Sequence, residues 1–326
     1  MTLDDVVERR HVTERSSRHL ASLHGGGSAR IAPVQQSYWE QVVADGFRLP
    51  QGAALDELTI ELVTMLGDTD PHVREDIARS VLQTWIREGV YDDLLIGLGD
   101  GLALGLKKGL GEEGTDSVLR RSFSASVLAE VIARDNVTHG LHPAAVLTWA
   151  DQAVGWLLGE RDLRGWTPSQ GWANAVVHGA DILGALSASR HLGADELRVL
   201  LDVVAERLTT PTRHRFSAGE EQRLAYATMS VLHRDLVTID SLEGWLDRLA
   251  QAWRDDARPP SSRAAARENT LDYLRALHLQ LLLGVQGTPA QNVASTVHPM
   301  PAVRSDLLLA MQSTLRSSAP WLYRQP

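Results

Sequence analysis

Apolar residues recur along this chain with the period of an α-helix almost everywhere. Leu55, Leu58, Leu62 and Met65 or Leu66 share one face of their stretch, as do Val118, Phe123, Val127 and Val131 in theirs. Leu197, Leu200 or Leu201, Val204 and Leu208 repeat the arrangement. Alternating runs are scarce, and Val, Ile and Thr never gather between turn signals as strands require. The pattern predicts about twelve helices of roughly ten to twenty residues, joined by short Gly, Pro or Asp turns. The chain reads as all-α.

One turn is more specific. In Leu66–Leu82, an acidic segment ends at Asp70 and Pro71, and Val73, Ile77 and Val81 follow at helical spacing. Pro suits the first turn of a helix, where its missing N–H would be unpaired in any case, and Asp70 is placed to cap it. The Asp-Pro-x-Val-Arg arrangement resembles the inter-helix turn of HEAT repeats, whose Arg reaches the carboxylate of a neighbouring turn. Helix pairs of about 40 residues that stack on one another fit this length. The expected architecture is therefore a HEAT-like or armadillo-like solenoid of antiparallel helix pairs, irregular because no second copy of the turn is as clean.

Residues 1–33 read as an N-terminal helix followed by a Gly-rich linker, and residues 34–326 as a single repeat-like domain. Arg254–Glu268 is polar and Pro-containing and is expected to be a loop; Thr296–Asp306 contains two prolines and is expected to be an irregular connector. Nine Trp stand against three Phe. Trp39, Trp85, Trp149, Trp156, Trp245 and Trp253 occupy apolar helical positions and are assigned to the core. Trp321 follows Pro320 outside any clear helix, where it would dock the tail on the last helix pair or anchor a partner.

Charge narrows the functional classes. The 326 residues carry a net charge of −9, and all the basic residues except Lys107 and Lys108 are Arg interleaved with acids. No basic stripe is present for a phosphate backbone, which argues against nucleic acid. The absence of Cys removes disulfides, Cys-ligated zinc and thiol catalysis. The charged N-terminus lacks the apolar core of a secretory signal. No apolar run approaches the roughly 18 residues of a membrane helix, and Leu277–Val285 is interrupted by His278 and Gln280. A cytoplasmic protein without membrane attachment is expected.

Three segments carry a family resemblance: RSFSASVLAEVIARD (Arg121–Asp135), ERDLRGWTPSQGWANAVVHGAD (Glu160–Asp181) and FSAGEEQRLAYA (Phe216–Ala227). With the Asp-Pro-x-Val-Arg turn they span residues 60–255, and together they resemble a bacterial family catalogued as domain of unknown function 2785. The resemblance implies a helical, HEAT-like fold and no established activity. In the family pattern the position of Asn174 is often His, so this chain departs from a His-x-x-x-His pair there.

The segment Glu160–Leu183 concentrates the candidate chemistry. Read as one helix over Pro168–Ala188, it places Asn174, His178 and Asp181 at i, i+4 and i+7 on one face, opposite Val176, Val177, Ile182 and Leu186. A polar stripe on an apolar helix must be hydrogen-bonded, solvated or liganded. A metal site would need His178, Asp181 and a further acid such as Glu160 or Asp162, and no zincin spacing supports it; no metal or cofactor is expected. A hydrolytic reading orients His178 by Asp181 to activate water or Ser124, without a nucleophile elbow or oxyanion motif beside it. The plainest reading is an inter-helix polar network: Arg161 or Arg164 pairs with Asp181, His178 donates to a neighbouring carbonyl, and Trp166 and Trp172 cover the cluster. The same residues could line a binding groove with the two Trp as contact surfaces.

Two other segments carry smaller signals. Arg120–Ser124 could hold an anion at a helix start; more plainly, Ser122 or Thr115 caps that helix and Arg121 bridges to the acids of Glu160–Asp162. Glu220 and Glu221 complement a helix dipole. If these segments meet, Arg121, Glu160, Asp162, Arg164, His178, Asp181, Glu221 and Arg223 form one charged cluster. The favoured function is a non-enzymatic binding or scaffold module for an unidentified protein or small molecule, using a groove at residues 160–181. The alternative is a hydrolase-like or metal-dependent enzyme built on His178 and Asp181.

Overall fold

The computed structural model describes residues 33–254, 260–286 and 300–323; the expected N-terminal helix and most of its linker lie outside them. Among the described residues there are twelve helices and one two-stranded hairpin, an all-α architecture apart from that hairpin. In order they are α1 (Pro33–Ala44), α2 (Leu55–Met65), α3, α4 (Leu95–Gly105), α5 (Ser117–Thr138) and α6 (Pro143–Gly159). After the hairpin strands β1 (Trp166–Thr167) and β2 (Gly171–Trp172) come α7 (Ala175–Ser187), α8 (Ala194–Thr209), α9 (Glu220–Leu232), α10 (Ile239–Arg254), α11 (Pro260–Leu283) and α12 (Arg304–Ser318). α3 opens as a π-helix, His72–Arg79, and continues as an α-helix, Ser80–Arg87.

Neighbours in space are second neighbours in sequence. α3, α5, α7, α9 and α11 lie side by side in one layer, and α2, α4, α6, α8, α10 and α12 in the other. The two layers share one core, in which Trp39, Trp85, Trp149 and Trp156 are buried. Each buried indole N–H has an acceptor: Glu61, the Phe47 carbonyl, Asp100 and Glu160 respectively. Burying Trp requires such partners, because an unmet N–H costs its full desolvation. Trp245 is likewise buried and donates to the Leu201 carbonyl, while Trp253 is half-buried against the core.

A recurring arginine joins successive helices of the first layer at their C-terminal ends. Arg134 donates to the Arg87 carbonyl, Arg190 to those of His139 and Leu141, and Arg234 to those of Ser187, Ser189 and Leu192. The last carbonyls of a helix lack intrahelical partners and carry partial negative charge, so a guanidinium satisfies both needs.

Four expectations are corrected. Pro168–Ala188 is not one helix. Gly171 has φ +71°, Asn174 has φ +53°, and the chain forms a hairpin before α7 begins. Arg254–Glu268 is not a loop throughout, since α11 begins at Pro260, a residue suited to a first helical turn. Ser122 does not cap α5; it lies inside the helix, which begins at Ser117. Asp70 does accept the His72 N–H at the start of α3. Trp321 is 84% exposed beyond α12, so it does not dock the tail.

Candidate functional site

Arg74, the arginine of the Asp-Pro-x-Val-Arg turn, fixes the hairpin. Its Nη1 donates to the Asp68 carbonyl and its Nη2 to Glu75 and to the Gln170 and Trp172 carbonyls. A HEAT-like turn would aim this Arg at a carboxylate of the next turn; here it clamps main-chain oxygens 96 and 98 residues away. Gly171 has φ +71°, a conformation side chains rarely adopt, and a Cβ there would also sit a tight 3.1 Å from Pro71 and 3.3 Å from the Glu75 carboxylate. The hairpin presents Trp166 and Trp172 edge to face, ring centroids 5.1 Å apart, with 60% and 36% exposure. They do not cover His178 and Asp181 as the sequence suggested; they face outward.

Beneath the hairpin, α5 supplies Ser122 and Phe123, and α7 supplies His178. The Ser122 hydroxyl donates to the Ala173 carbonyl. With that proton committed, His178 Nδ1, 2.8 Å from Ser122 Oγ and 3.1 Å from its carbonyl, must carry the hydrogen. The ring is 2% exposed and packs edge-on against Phe123 at 4.9 Å, while Arg74 lies over that phenyl ring at 4.8 Å. Burial, aided by the Arg79 and Arg223 cations, pushes the His178 pKa well below its usual range. His178 is thus a neutral imidazole of one tautomer, its Nε2 lone pair without a partner among the described residues.

One turn further along α7, Asp181 accepts from Nε and Nη2 of Arg223 on α9, both at the same oxygen, Oδ1. Burial raises the Asp181 pKa against the opposing pull of Arg223. Arg79, at the end of the π-helical turn of α3, has its Nε buried without an acceptor. Burial lowers its pKa, opposed chiefly by Asp181 and then by Glu75 and Glu130. Arg74 and Arg79 stand five residues apart in this π-helical segment, the spacing of its i→i+5 hydrogen bonds.

The other sequence-predicted residues belong to separate networks. Arg121 and Glu160 form a bidentate pair, both side chains 0% exposed. Arg121 also donates to the Lys108 and Gly109 carbonyls and Ser117, and Glu160 accepts from Trp156 and the Arg161 and Asp162 N–H groups. Arg164 pairs with Asp162, which also accepts from the Gly114 N–H. Asp181 is therefore the partner of Arg223 and not of Arg161 or Arg164. Asn174 stands before α7 in the left-handed region, which Asn tolerates, with Oδ1 buried and unpartnered. Glu221 is half-buried in the first turn of α9, its Oε2 meeting no donor among the described residues. The eight charged residues thus divide instead of merging. Ser124, buried with an unpartnered hydroxyl, points toward Gly105 on α4; the serine that touches His178 is Ser122.

Sequence reasoning passed over Arg74, Arg79 and Ser122 as members of this site. The turn motif marked Arg74 as unusual. Nothing marked Arg79, because its placement depends on a π turn that side-chain periodicity does not report. A cavity of about 270 Å³ between α8 and α10, lined by Val199, Val237 and Trp245 among others, lies away from these groups.

The fold and site define an all-α protein of paired helices with a neutral histidine and an arginine–aspartate pair set into one layer. The family model described as "Protein of unknown function (DUF2785)" matches residues 106–279, more than half of the chain, and the protein belongs to that family. The match takes in the three resembling segments and begins after the Asp-Pro-x-Val-Arg turn. No curated protein and no solved structure matches the chain.

Proposed function

We propose that this chain is a HEAT-like α-solenoid that acts as a non-enzymatic binding module, taking its ligand or partner at the Glu160–Asp181 block. The solenoid reading is supported by the side-by-side order of alternate helices and by the repeated arginine clamps between them. The binding reading rests above all on the hairpin. Two large aromatic side chains stay exposed on a backbone that a buried arginine holds rigid, and such an arrangement contributes nothing to the core. Exposed, rigid Trp is characteristic of contact surfaces because it offers large area with little side-chain entropy to lose. The Arg121–Glu160 and Arg164–Asp162 networks are then the scaffold that fixes the hairpin's ends.

Native mass spectrometry of the purified full chain and a Trp166→Ser/Trp172→Ser variant tests this. A bound species on the wild type that is depleted in the variant is expected. A bare wild type, or a bound species retained undiminished by the variant, overturns the hairpin as the binding element.

The Nε2 lone pair of His178, without a partner among the described residues, favours a second reading, in which it accepts a proton from water or a substrate hydroxyl. That reading requires turnover which His178→Gln abolishes.

A further inference from the structure

The hairpin holds its two exposed tryptophans among acids. Gln170, in its turn, donates to Asp116; Arg164, shortly before β1, donates to the Thr115 carbonyl; and Asp162 accepts the Gly114 N–H. These bonds pin the loop that precedes α5 against the hairpin, and Glu112, Glu113 and Asp116 are all exposed on that loop. On the other side, the close approach of Pro71 to Gly171 brings in exposed Asp70. Beneath the strand, Glu220 is 1% exposed, and its Oε1 lies 3.5 Å from the Cβ position of Gly165, the residue before Trp166. That oxygen meets no donor among the described residues. Arg74 is committed to Glu75 and Arg164 to Asp162. Arg161, Lys107 and Lys108 are exposed nearby in the chain, and the five acids outnumber them.

We propose that Trp166 and Trp172 dock an arginine-bearing basic segment of a partner protein, with a guanidinium on an indole face and further cations of the segment meeting Glu112, Glu113 and Asp116. The assignment rests on the binding-module reading and names its partner. An indole face carries the negative part of the ring quadrupole and attracts cations, and the planar, weakly hydrated guanidinium stacks on it well. The surrounding acids favour the same charge and repel phosphates and acidic segments. A small free cation is a poorer fit. One exposed cation–π contact raises affinity only about 2–5-fold, and the 270 Å³ cavity lies elsewhere, between α8 and α10. A segment that spans both the hairpin and the pinned loop adds several such contacts at once.

The experiment is fluorescence anisotropy of a dye-labelled peptide of alternating Gly and Arg, titrated with the full chain. The same peptide with Gln in place of Arg is the uncharged control. Binding of the Arg peptide that weakens with added salt is expected, with none of the Gln peptide. Trp166→Ser/Trp172→Ser keeps every charge of the protein and should weaken binding by on the order of 5–30-fold, the product of two cation–π contacts. Trp166→Ser alone removes the more exposed ring and should cost about 2–5-fold. It keeps the test decisive if the double variant does not fold. Glu113→Gln leaves both rings in place and should make binding less sensitive to salt.

Four results overturn the proposal. The Arg peptide does not bind; it binds equally well to the Trp variants, so that the acidic surface alone attracts it; the Gln peptide binds as tightly, so that the rings are a plain apolar contact; or millimolar tetramethylammonium displaces the Arg peptide completely, so that the rings serve a small cation instead. Should native mass spectrometry show a Trp-dependent bound species while the Arg peptide fails to bind, the basic partner falls and the binding module stands. A bare wild-type protein that also ignores the Arg peptide overturns both.

Discussion

Replacing Arg121 by Met puts the buried networks to a quantitative test. Arg121 and Glu160 are both 0% exposed and joined by two hydrogen bonds, and the same carboxylate accepts three more from Trp156 and the Arg161 and Asp162 backbone. The substitution leaves the Glu160 charge buried against one indole and two amide donors, and it orphans the Lys108 and Gly109 carbonyls. Breaking one partner out of a buried pair costs about 3–5 kcal/mol. With an unfolding entropy of ~2.1 cal/mol/K per residue, 326 residues unfolding together give ~0.7 kcal/mol/K. A loss of about 4 kcal/mol therefore lowers Tm by ~6 °C. Urea denaturation followed by circular dichroism measures the free energy, and calorimetry the midpoint. The cycle is completed by Glu160→Gln and the double variant, which should recover part of the loss because the uncompensated charge is gone. A loss under about 1 kcal/mol for Arg121→Met, or strict additivity in the cycle, would refute the reasoning and show that water reaches Glu160.

Other outcomes follow from the same geometry. Gly171→Ala forces a side chain into the left-handed region at φ +71° and toward Pro71; it should cost about 1–2 kcal/mol and loosen the hairpin, seen as a red shift of Trp emission. Gly99→Ala would place a Cβ 2.2 Å from the Trp149 ring, and overpacking of that kind should lower stability by about 1–3 kcal/mol in denaturant melts. His178 sets an acid limit. Its folded pKa lies below its unfolded one, so the unfolded chain binds a proton first, and stability falls as pH drops through about 6.5 by up to ~1.4 kcal/mol per pH unit. Stability curves of the wild type and His178→Gln between pH 8 and 5 should diverge in that window, and parallel curves would show that the ring is not held neutral. The raised pKa of Asp181 acts in the opposite sense at lower pH, and it is common to both proteins.

The helical class was legible from the sequence alone because a buried stripe repeating every 3.6 residues is a local property of the chain. The core tryptophans were legible for the same reason, since their positions on apolar faces do not depend on which helix covers them. The polar content of Glu160–Asp181 marked the segment as unusual, but its partners did not follow from it. Arg121 and Glu160 are 39 residues apart, Arg223 and Asp181 are 42 apart, and Arg74 meets the hairpin across 96. An arginine can reach any acid that packing brings to it, and composition does not rank the choices. The tertiary structure decided those pairings by setting alternate helices side by side. It also decided that Pro168 to Asn174 would leave the helix for a hairpin, because Arg74 donates there to the Gln170 and Trp172 carbonyls. The buried Nε of Arg79, which meets no acceptor among the described residues, is the furthest from the sequence. Glu75, Glu130 and Asp181 pair with Arg74, Arg87 and Arg223, and the last two pairings, across 43 and 42 residues, exist only once the helices are assembled.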